Sequence, residues 1–286
     1  MEEFLAAAIQ MKIHSFDREL NLKNAVKLID KAASFGAKLI VLPEYFVSEC
    51  PSINKSPEDL KKMATPVEES SVIKRIASEA KRVEAYIVAG TILERDGDDV
   101  YNTSVLIGPT GEVIGRQRKT HPENHLSKRE VELGVKPSNE LKVFNTELGK
   151  LSILIDVDAN IPEVAVSYAI LGAEIIAWTL NWSVRWAYLV PAIASTYAYV
   201  TQTYVVAANR AMLREEQVGP YPLYYMGPSV IANPEGEIVG YAGSFYEGIA
   251  VGIISREIMK TIKDYNKDVY PLGRRPEVFK DIIARK

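Results

Sequence analysis

Two charged residues, Glu44 and Lys119, lie at the ends of segments with strand-like patterns and are candidates for a catalytic role. Glu44 follows the apolar run Leu39–Leu42 and Pro43, and Lys119 ends the basic run Arg116–Lys119. A carboxylate at the end of a buried strand can serve as a general base, and a nearby ammonium can stabilise a developing negative charge. Taken alone, each has an ordinary alternative, as a strand-end carboxylate or as part of a solvated basic cluster.

Asp156 is the third candidate, because it closes the apolar run Leu151–Ile155. An aspartate commonly forms a turn after a strand, but one in apolar surroundings must still find a partner for its charge.

Other residues that often carry chemistry have weaker patterns. His14, His121 and His125 lack the spacing of a metal site, so no metal is predicted. Cys50 is the only cysteine, and a small buried hydrophobe is its expected role rather than a displaced nucleophile. Glycine-rich phosphate-binding patterns are absent from the sequence, so no nucleotide cofactor is predicted.

The elements that must position these residues alternate between strands and helices. A strand over Phe4–Met11 precedes a helix over Asn21–Ala37, which Gly36 ends, and then the strand before Glu44. The remaining predicted helices are Ser71–Val83, Pro162–Leu171, Val190–Thr201 and one from Arg256, and the remaining strands are Ala85–Leu93, Tyr101–Ile107, Val113–Arg118, Leu151–Ile155, Ile175–Thr179, Tyr204–Ala208, Ser229–Ala232, Ile238–Ala242 and Ile249–Ile254. The polar stretch Thr120–Asn139 is predicted to be a loop. No linker interrupts this order, so residues 1–286 are predicted to form a single α/β domain.

Composition narrows the function classes. The 286 residues are 47% hydrophobic and 25% charged, with a formal net charge of -3. The charge gives no basic excess that would attract nucleic acid or anionic lipid, and no apolar stretch reaches the length of a membrane span. An acidic start without a signal-like layout and a single cysteine lead us to expect a cytoplasmic protein without internal disulfides.

Many short motifs, taken together in chain order, resemble the nitrilase, or carbon-nitrogen hydrolase, superfamily. The first two are the Leu39–Glu44 segment and Arg118-Lys119-Thr120-His121. Further matches are Gln10, Asp17, Asn21, Gly36-Ala37, Tyr101-Asn102-Thr103, Pro162-Glu163, Gly172-Ala173-Glu174, Asn181-Trp182, Ala207-Ala208-Asn209-Arg210, Gly227-Pro228-Ser229 and Arg274-Arg275-Pro276-Glu277. Each is weak alone, but their common order covers nearly the whole chain.

The resemblance implies a fold and a chemistry. The fold is an α-β-β-α four-layer sandwich, and family members tend to pair through helices, so a homodimer or larger homo-oligomer is expected. The chemistry is attack of a cysteine thiolate on an amide, carbamoyl or nitrile carbon. A glutamate acts as base, a lysine stabilises the oxyanion, and a second glutamate positions the substrate. Glu44 and Lys119 match the first glutamate and the lysine.

The chain departs from this pattern at several positions. The segment ending Asp156-Val157-Asp158 resembles the family's strand that ends in Cys-x-Asp, which puts Asp156 at the cysteine position. The resemblance then implies an ion pair between Asp156 and Lys119, and a second carboxylate beside Glu44 that would raise one pKa of the pair. Asn160 stands where the family has an arginine, and Tyr197–Thr201 replaces another family motif. Ser127 occupies the position of the family's second glutamate, although Glu123 or Glu130 could enter the same space from a shifted register. The implied substrate contacts are Ser127, Glu130, Asn181 and Trp182.

These departures leave several functions open. The favoured one is a non-hydrolytic member of the superfamily that binds a small amide-like ligand or a partner protein. The alternatives are an enzyme in which Asp156 or Glu44 activates water, a structural role in oligomerisation, and an engineered cysteine-to-aspartate variant of an amidase.

Overall fold

The computed structural model describes residues 2–14, 17–48, 55–125, 128–211, 216–218, 221–267 and 273–283. Its strands are β1 (Glu3–Lys12), β2 (Ala37–Val41), β3 (Tyr86–Asp96), β4 (Asp99–Ile107), β5 (Val113–Arg118), β6 (Asn124–His125), β7 (Lys128–Arg129), β8 (Val143–Thr146), β9 (Gly149–Ile155), β10 (Ile175–Thr179), β11 (Tyr204–Ala208), β12 (Arg210–Ala211), β13 (Glu216–Val218), β14 (Tyr221–Leu223), β15 (Val230–Ala232), β16 (Ile238–Tyr241) and β17 (Gly248–Ser255). Its helices are α1 (Arg18–Ser34), α2 (Pro57–Met63), α3 (Ser71–Val83), α4 (Pro162–Ile170), α5 (Val184–Ala187), α6 (Val190–Thr201), α7 (Arg256–Tyr265) and α8 (Pro276–Ile283), with a 3-10 helix at Asp156–Asn160.

Two large sheets carry the described part of the chain. The first has the order β12-β1-β2-β3-β4-β5, and β17 also pairs with β1 in antiparallel register. The second has the order β16-β15-β11-β10-β9-β8. The central strands β9, β10 and β11 are parallel, as expected for strands joined through the helices α4 and α6.

Alternating side chains along the strands explain why the two sheets pack face to face. Along β1, Ala7, Ile9 and Met11 pack toward α1 and α3, whereas Phe4, Ala6 and Ala8 pack against the second sheet. Side chains of β9 alternate similarly, with Ile153 between the sheets and Leu154 under the outer helices. The apolar residues of each buried strand thus serve two core layers.

The predicted α-β-β-α sandwich in a single domain is confirmed. One core cluster fills the space between the first sheet and its helices, a second lies between the sheets, and a third lies under α4 and α6. Among the described residues, no helix combines the length and the apolar character needed to cross a bilayer.

Two local predictions differ from the structure. The first helix begins at Arg18, three residues before the predicted start, because the side chain of Asp17 caps it by accepting from the Leu20 amide. The stretch Thr120–Asn139, predicted as a loop, contains the short antiparallel pair β6 and β7. That pair turns the chain back toward the end of β5, and this return determines which loop carboxylates approach Lys119.

Candidate functional site

Among the described side chains, Lys119 is surrounded by four carboxylates at the end of the space between the sheets. Its Nζ lies 2.9 Å from Glu130 Oε2, 3.1 Å from Glu44 Oε1, 3.1 Å from Glu123 Oε2 and 3.4 Å from Asp156 Oδ2. Lys119, Glu44, Glu130 and Asp156 are fully buried, and Glu123 is nearly so. We call these four acids the carboxylate cluster.

Strand ends from both sheets bring the cluster together. Glu44 follows β2, and its backbone amide donates to the carbonyl of Leu180, which follows β10 of the other sheet, at 3.0 Å. Lys119 comes directly after β5, and its amide donates to the Asn102 carbonyl on β4 at 2.8 Å. Asp156 opens the 3-10 helix after β9. The ends of β2, β5 and β9 therefore meet at one place.

A network of neutral donors fixes Glu130 beside the lysine. Tyr45 donates its hydroxyl to Glu130 Oε1 at 2.6 Å, and the amide of Glu123 donates to Glu130 Oε2 at 2.8 Å. Asn102 Nδ2 donates to both Glu44 Oε1 and Glu130 Oε1, each at 2.8 Å. These bonds hold the carboxylates at fixed positions around Lys119.

Asp156 has a backbone conformation that most residues avoid. Its φ of 48° lies in the left-handed region, which aspartate tolerates better than most residues, and such conformations cluster at functional sites. Its carbonyl accepts from Trp178 Nε1 at 3.0 Å, which anchors the turn. The Asp156 side chain lies toward Lys119, and its Oδ1 accepts from the backbone amide of Asn181 at 3.0 Å.

The Lys119 ammonium and the Asn181 amide are thus two donors that converge on one carboxylate. Paired donors of this kind can stabilise the oxyanion of an acyl-transfer intermediate. Here the two oxygens of Asp156 accept from them in the resting protein. The side chain of Asp156 therefore occupies donors that could otherwise stabilise a developing negative charge.

The carboxylate cluster shares a single lysine among the described side chains. Four carboxylates lie within 3.4 Å of the Lys119 ammonium. An ammonium has only three N–H bonds to share among them.

Asp158 links the turn after Lys119 to the 3-10 helix that carries Asp156. Its carboxylate accepts from the amides of Thr120 at 3.0 Å and His121 at 2.8 Å, and from His121 Nδ1 at 3.1 Å. The hydrogen bond to Asp158 raises the pKa of His121 above its usual value, and burial opposes that rise. This link sets where Lys119 and Asp156 lie relative to each other.

The structure brings most of the predicted site residues together. Glu44, Lys119 and Asp156 meet as expected, and Asn181 reaches Asp156 through its backbone amide. Ser127 lies outside the described residues, as does Cys50. Glu123 and Glu130 were the alternatives to Ser127 for the second glutamate. Both have carboxylates in contact with Lys119.

The substrate contact predicted for Trp182 stays a prediction. Its ring packs edge-on against Trp178, with centroids 5.3 Å apart, in the core cluster under α4 and α6. Trp178 in turn donates from Nε1 to the Asp156 carbonyl at 3.0 Å, which connects this packing to the turn that carries Asp156. Trp182 therefore contributes to packing.

Sequence reasoning missed two residues of the site. Asn102 enters the sequence analysis only within a motif, because β4 also carries Thr103 and Ser104 and its pattern does not single out one polar residue. Tyr45 follows Glu44 with a φ of 51°, and no pattern in the sequence indicates that conformation. Among the described residues, no group of His, Cys, Asp and Glu has the arrangement of a metal site.

Comparison with known proteins places the chain in a family. The Carbon-nitrogen hydrolase family matches residues 5–264. The chain is 32% identical to the nitrilase of Pyrococcus abyssi over 96% of its own length and 98% of that protein. It is 28% identical to the omega-amidase NIT3 of Saccharomyces cerevisiae, with 99% and 97% of the two chains covered.

A solved structure agrees with these sequence matches. The crystal structure of Saccharomyces cerevisiae Nit3, a member of branch 10 of the nitrilase superfamily, superposes with a TM-score of 0.81 at 26% identity, covering 96% of this chain and 97% of that one. The shared fold, the extent of the match and the strand-end cluster lead to one conclusion. This chain belongs to the carbon-nitrogen hydrolase family, the nitrilase superfamily.

Proposed function

We propose that this protein binds a small amide-like molecule in a carbon-nitrogen hydrolase pocket and does not hydrolyse it through a thiol. In this proposal, Asp156 occupies the position at which the family resemblance implies a cysteine. One observation carries it: the buried Asp156 side chain faces Lys119 and accepts from the Asn181 amide. The similar nitrilase and omega-amidase support a ligand of the amide or nitrile class.

Chemistry argues against Asp156 as a direct replacement for a thiolate. A carboxylate is a weak nucleophile toward an amide, and its acyl product would be a mixed anhydride, which lies uphill from the amide. The carboxylate also accepts from Lys119 and Asn181, the donors that an oxyanion would need. Both effects oppose acyl transfer at this position.

The decisive experiment is restoration of a thiol. Because Glu130 already lies 2.9 Å from Lys119, a single Asp156→Cys substitution should supply what the site lacks. We expect no release of ammonia from a panel of amides, nitriles and carbamoyl compounds by the wild-type protein. The Asp156→Cys variant should release ammonia at a measurable rate, and a matched Asp156→Ser variant should not.

Cys50 provides the control for a thiol elsewhere in the chain, since it is the only natural cysteine. Asp156→Cys should remain active when combined with Cys50→Ser. Wild-type turnover that disappears in Cys50→Ser would show that the protein uses another thiol, and the proposal would then be wrong. Wild-type turnover that survives Cys50→Ser would favour a second candidate function, hydrolysis by activated water.

The second candidate function is hydrolysis by activated water. It is favoured by Glu44, whose Oε1 lies 3.1 Å from Lys119 and accepts from Asn102 at 2.8 Å. In such a reaction Glu44 would take a proton from water, the water oxygen would bond to the amide carbon, and the C–N bond would break as nitrogen takes up a proton. Glu44→Gln should then abolish turnover; turnover unchanged in that variant would exclude this candidate.

A further inference from the structure

We propose that His121, Thr120 and Asp158 form a pH-sensitive switch that moves the turn carrying Asp156. In the closed form of the switch the protonated His121 ring donates to Asp158, and in the open form the neutral ring accepts from Thr120 instead. The switch belongs to the folded chain without a ligand, so it is independent of the proposed function. Three features of the structure support it.

The first feature is a ring nitrogen with two partners of different kinds. His121 Nδ1 lies 3.1 Å from Asp158 Oδ1 and 2.9 Å from Thr120 Oγ1. An ionised carboxylate only accepts hydrogen bonds, whereas a hydroxyl also donates them. Nδ1 with a hydrogen therefore donates to Asp158, and Nδ1 without a hydrogen accepts from Thr120. Protonation of the ring selects the closed form, because both nitrogens of a charged histidine carry hydrogens.

Asp158 keeps other donors when the ring loses its charge, which is why the switch can open. Its carboxylate accepts from the backbone amides of Thr120 at 3.0 Å and of His121 at 2.8 Å. Backbone amides do not titrate in this pH range, so a neutral ring leaves the buried carboxylate satisfied. The charge assistance that favours the closed form disappears with the proton, and the nearer Thr120 hydroxyl then becomes the better partner for Nδ1.

The second feature is that solvent reaches the sensor but not its partner. The His121 side chain is 47% exposed, whereas that of Asp158 is 3% exposed. The hydrogen bond to Asp158 is the main cause that raises the pKa of His121, and the charge of Glu163 also raises it, whereas burial and the charge of Lys119 lower it. The switch therefore closes, as the pH falls, at a higher pH than that at which a free histidine takes up its proton.

The third feature is the short path from Asp158 to Asp156. Both lie in the 3-10 helix after β9, and Lys119 directly precedes Thr120. The distance between Lys119 Nζ and Asp156 Oδ2, 3.4 Å, is the longest of the four between Lys119 and the carboxylate cluster. A charged bond from His121 to Asp158 draws the 3-10 helix toward the turn after Lys119, and this longest contact is the one that it shortens.

Trp178 reports on this turn, because its Nε1 donates to the Asp156 carbonyl at 3.0 Å and its ring is fully buried. The test follows the His121 ring and the Trp178 indole N–H by NMR in the ligand-free wild-type protein, between about pH 5 and about pH 8. We expect both signals to change with one common midpoint. The indole of Trp186, which lies exposed on α5, is the internal control and should show no change with that midpoint.

Matched variants distinguish the switch from a histidine that merely titrates. Thr120→Val keeps the shape of the side chain and removes the hydroxyl, so the ring has Asp158 as its partner in both charge states. His121 should still titrate in this variant, but the Trp178 signal should no longer follow it. Thr110→Val removes a hydroxyl from the turn between β4 and β5 and should leave both signals as in the wild-type protein. His121→Gln should abolish the change at Trp178.

A Trp178 signal that stays constant while His121 titrates would overturn the inference. A change at Trp178 that persists in His121→Gln would also overturn it, because another group would then be titrating, and so would one that persists in Thr120→Val. Should Thr120→Val fail to fold, Thr120→Ala takes its place, and the comparison of the wild-type protein with His121→Gln still decides. The proposed function is judged by ammonia release, so its failure and the failure of the switch are separate results.

Discussion

Two buried charge networks lie side by side at the end of β5, and they are opposite in balance. Arg118 and Arg116 converge on one carboxylate, Glu94, at 2.8 Å and 3.1 Å, and Thr103 donates to the same group at 2.6 Å. The next residue, Lys119, contacts four carboxylates among the described side chains. In the first network several donors share one carboxylate, whereas in the second several carboxylates share one ammonium.

Under the proposed function, this difference separates a network that stabilises the fold from one that binds a ligand. Glu94 is buried with its charge compensated, and Arg118 also stacks on the Tyr101 ring at 3.8 Å. These donors compensate the charge of Glu94, and stabilisation of the fold accounts for the network. The carboxylate cluster concentrates like charges in a buried space, which is an arrangement that proteins maintain at functional sites at the expense of stability.

The largest effect is expected in the Glu94 network. Glu94→Gln leaves Arg118 and Arg116 without their shared charge, and loss of hydrogen bonds to a buried charged group destabilises by about 2 kcal/mol. Urea unfolding followed by tryptophan fluorescence measures the change. Asp96→Asn removes the exposed carboxylate on the other side of Arg118 and serves as the control, with a much smaller loss. Equal losses in the two variants would contradict the distinction between the networks.

The opposite sign is expected in the carboxylate cluster. Asp156→Asn removes one of four crowded negative charges, and asparagine suits the left-handed backbone at this position as well as aspartate does. We expect the free energy of unfolding to rise by about 1 kcal/mol, the gain typical when a functional site is relieved of strain. A loss as large as that of Glu94→Gln would mean that Asp156 is a structural ion-pair partner of Lys119, and the contrast would fail.

The same contrast shows which parts of the site the sequence could predict. Strand patterns placed Glu44, Lys119 and Asp156 each near the end of a strand, and the family resemblance implied that these strand ends share one pocket. Glu130 and Ser127 could not be separated in advance, because their positions depend on how the β6–β7 pair turns the chain. Spacing in a loop does not determine register, whereas spacing in a strand does.

The sequence also left undetermined which contacts the residues after β10 make. Asn181 and Trp182 are neighbours in one motif, but the backbone amide of Asn181 donates to Asp156, whereas the ring of Trp182 lies in the core under α6. The fold itself followed from the alternation of apolar residues and from the family resemblance. The contacts within the site depend on turns whose conformations, as at Tyr45 and Asp156, involve positive φ angles.

The smallest predicted effect concerns Asp158, which links the turn after Lys119 to the 3-10 helix that carries Asp156. The hydrogen bond to Asp158 raises the pKa of His121, so the folded state binds a proton there more tightly than the unfolded state. The resulting stabilisation is fully present below the unfolded pKa of about 6.5 and is lost as the pH rises through the higher folded value. His121→Gln should therefore destabilise more at about pH 5.5 than at about pH 8.5, as measured by urea unfolding. In an Asp158→Asn background, the same substitution should have no pH-dependent effect, and a dependence that persists there would assign the raised pKa to another neighbour, such as Glu163.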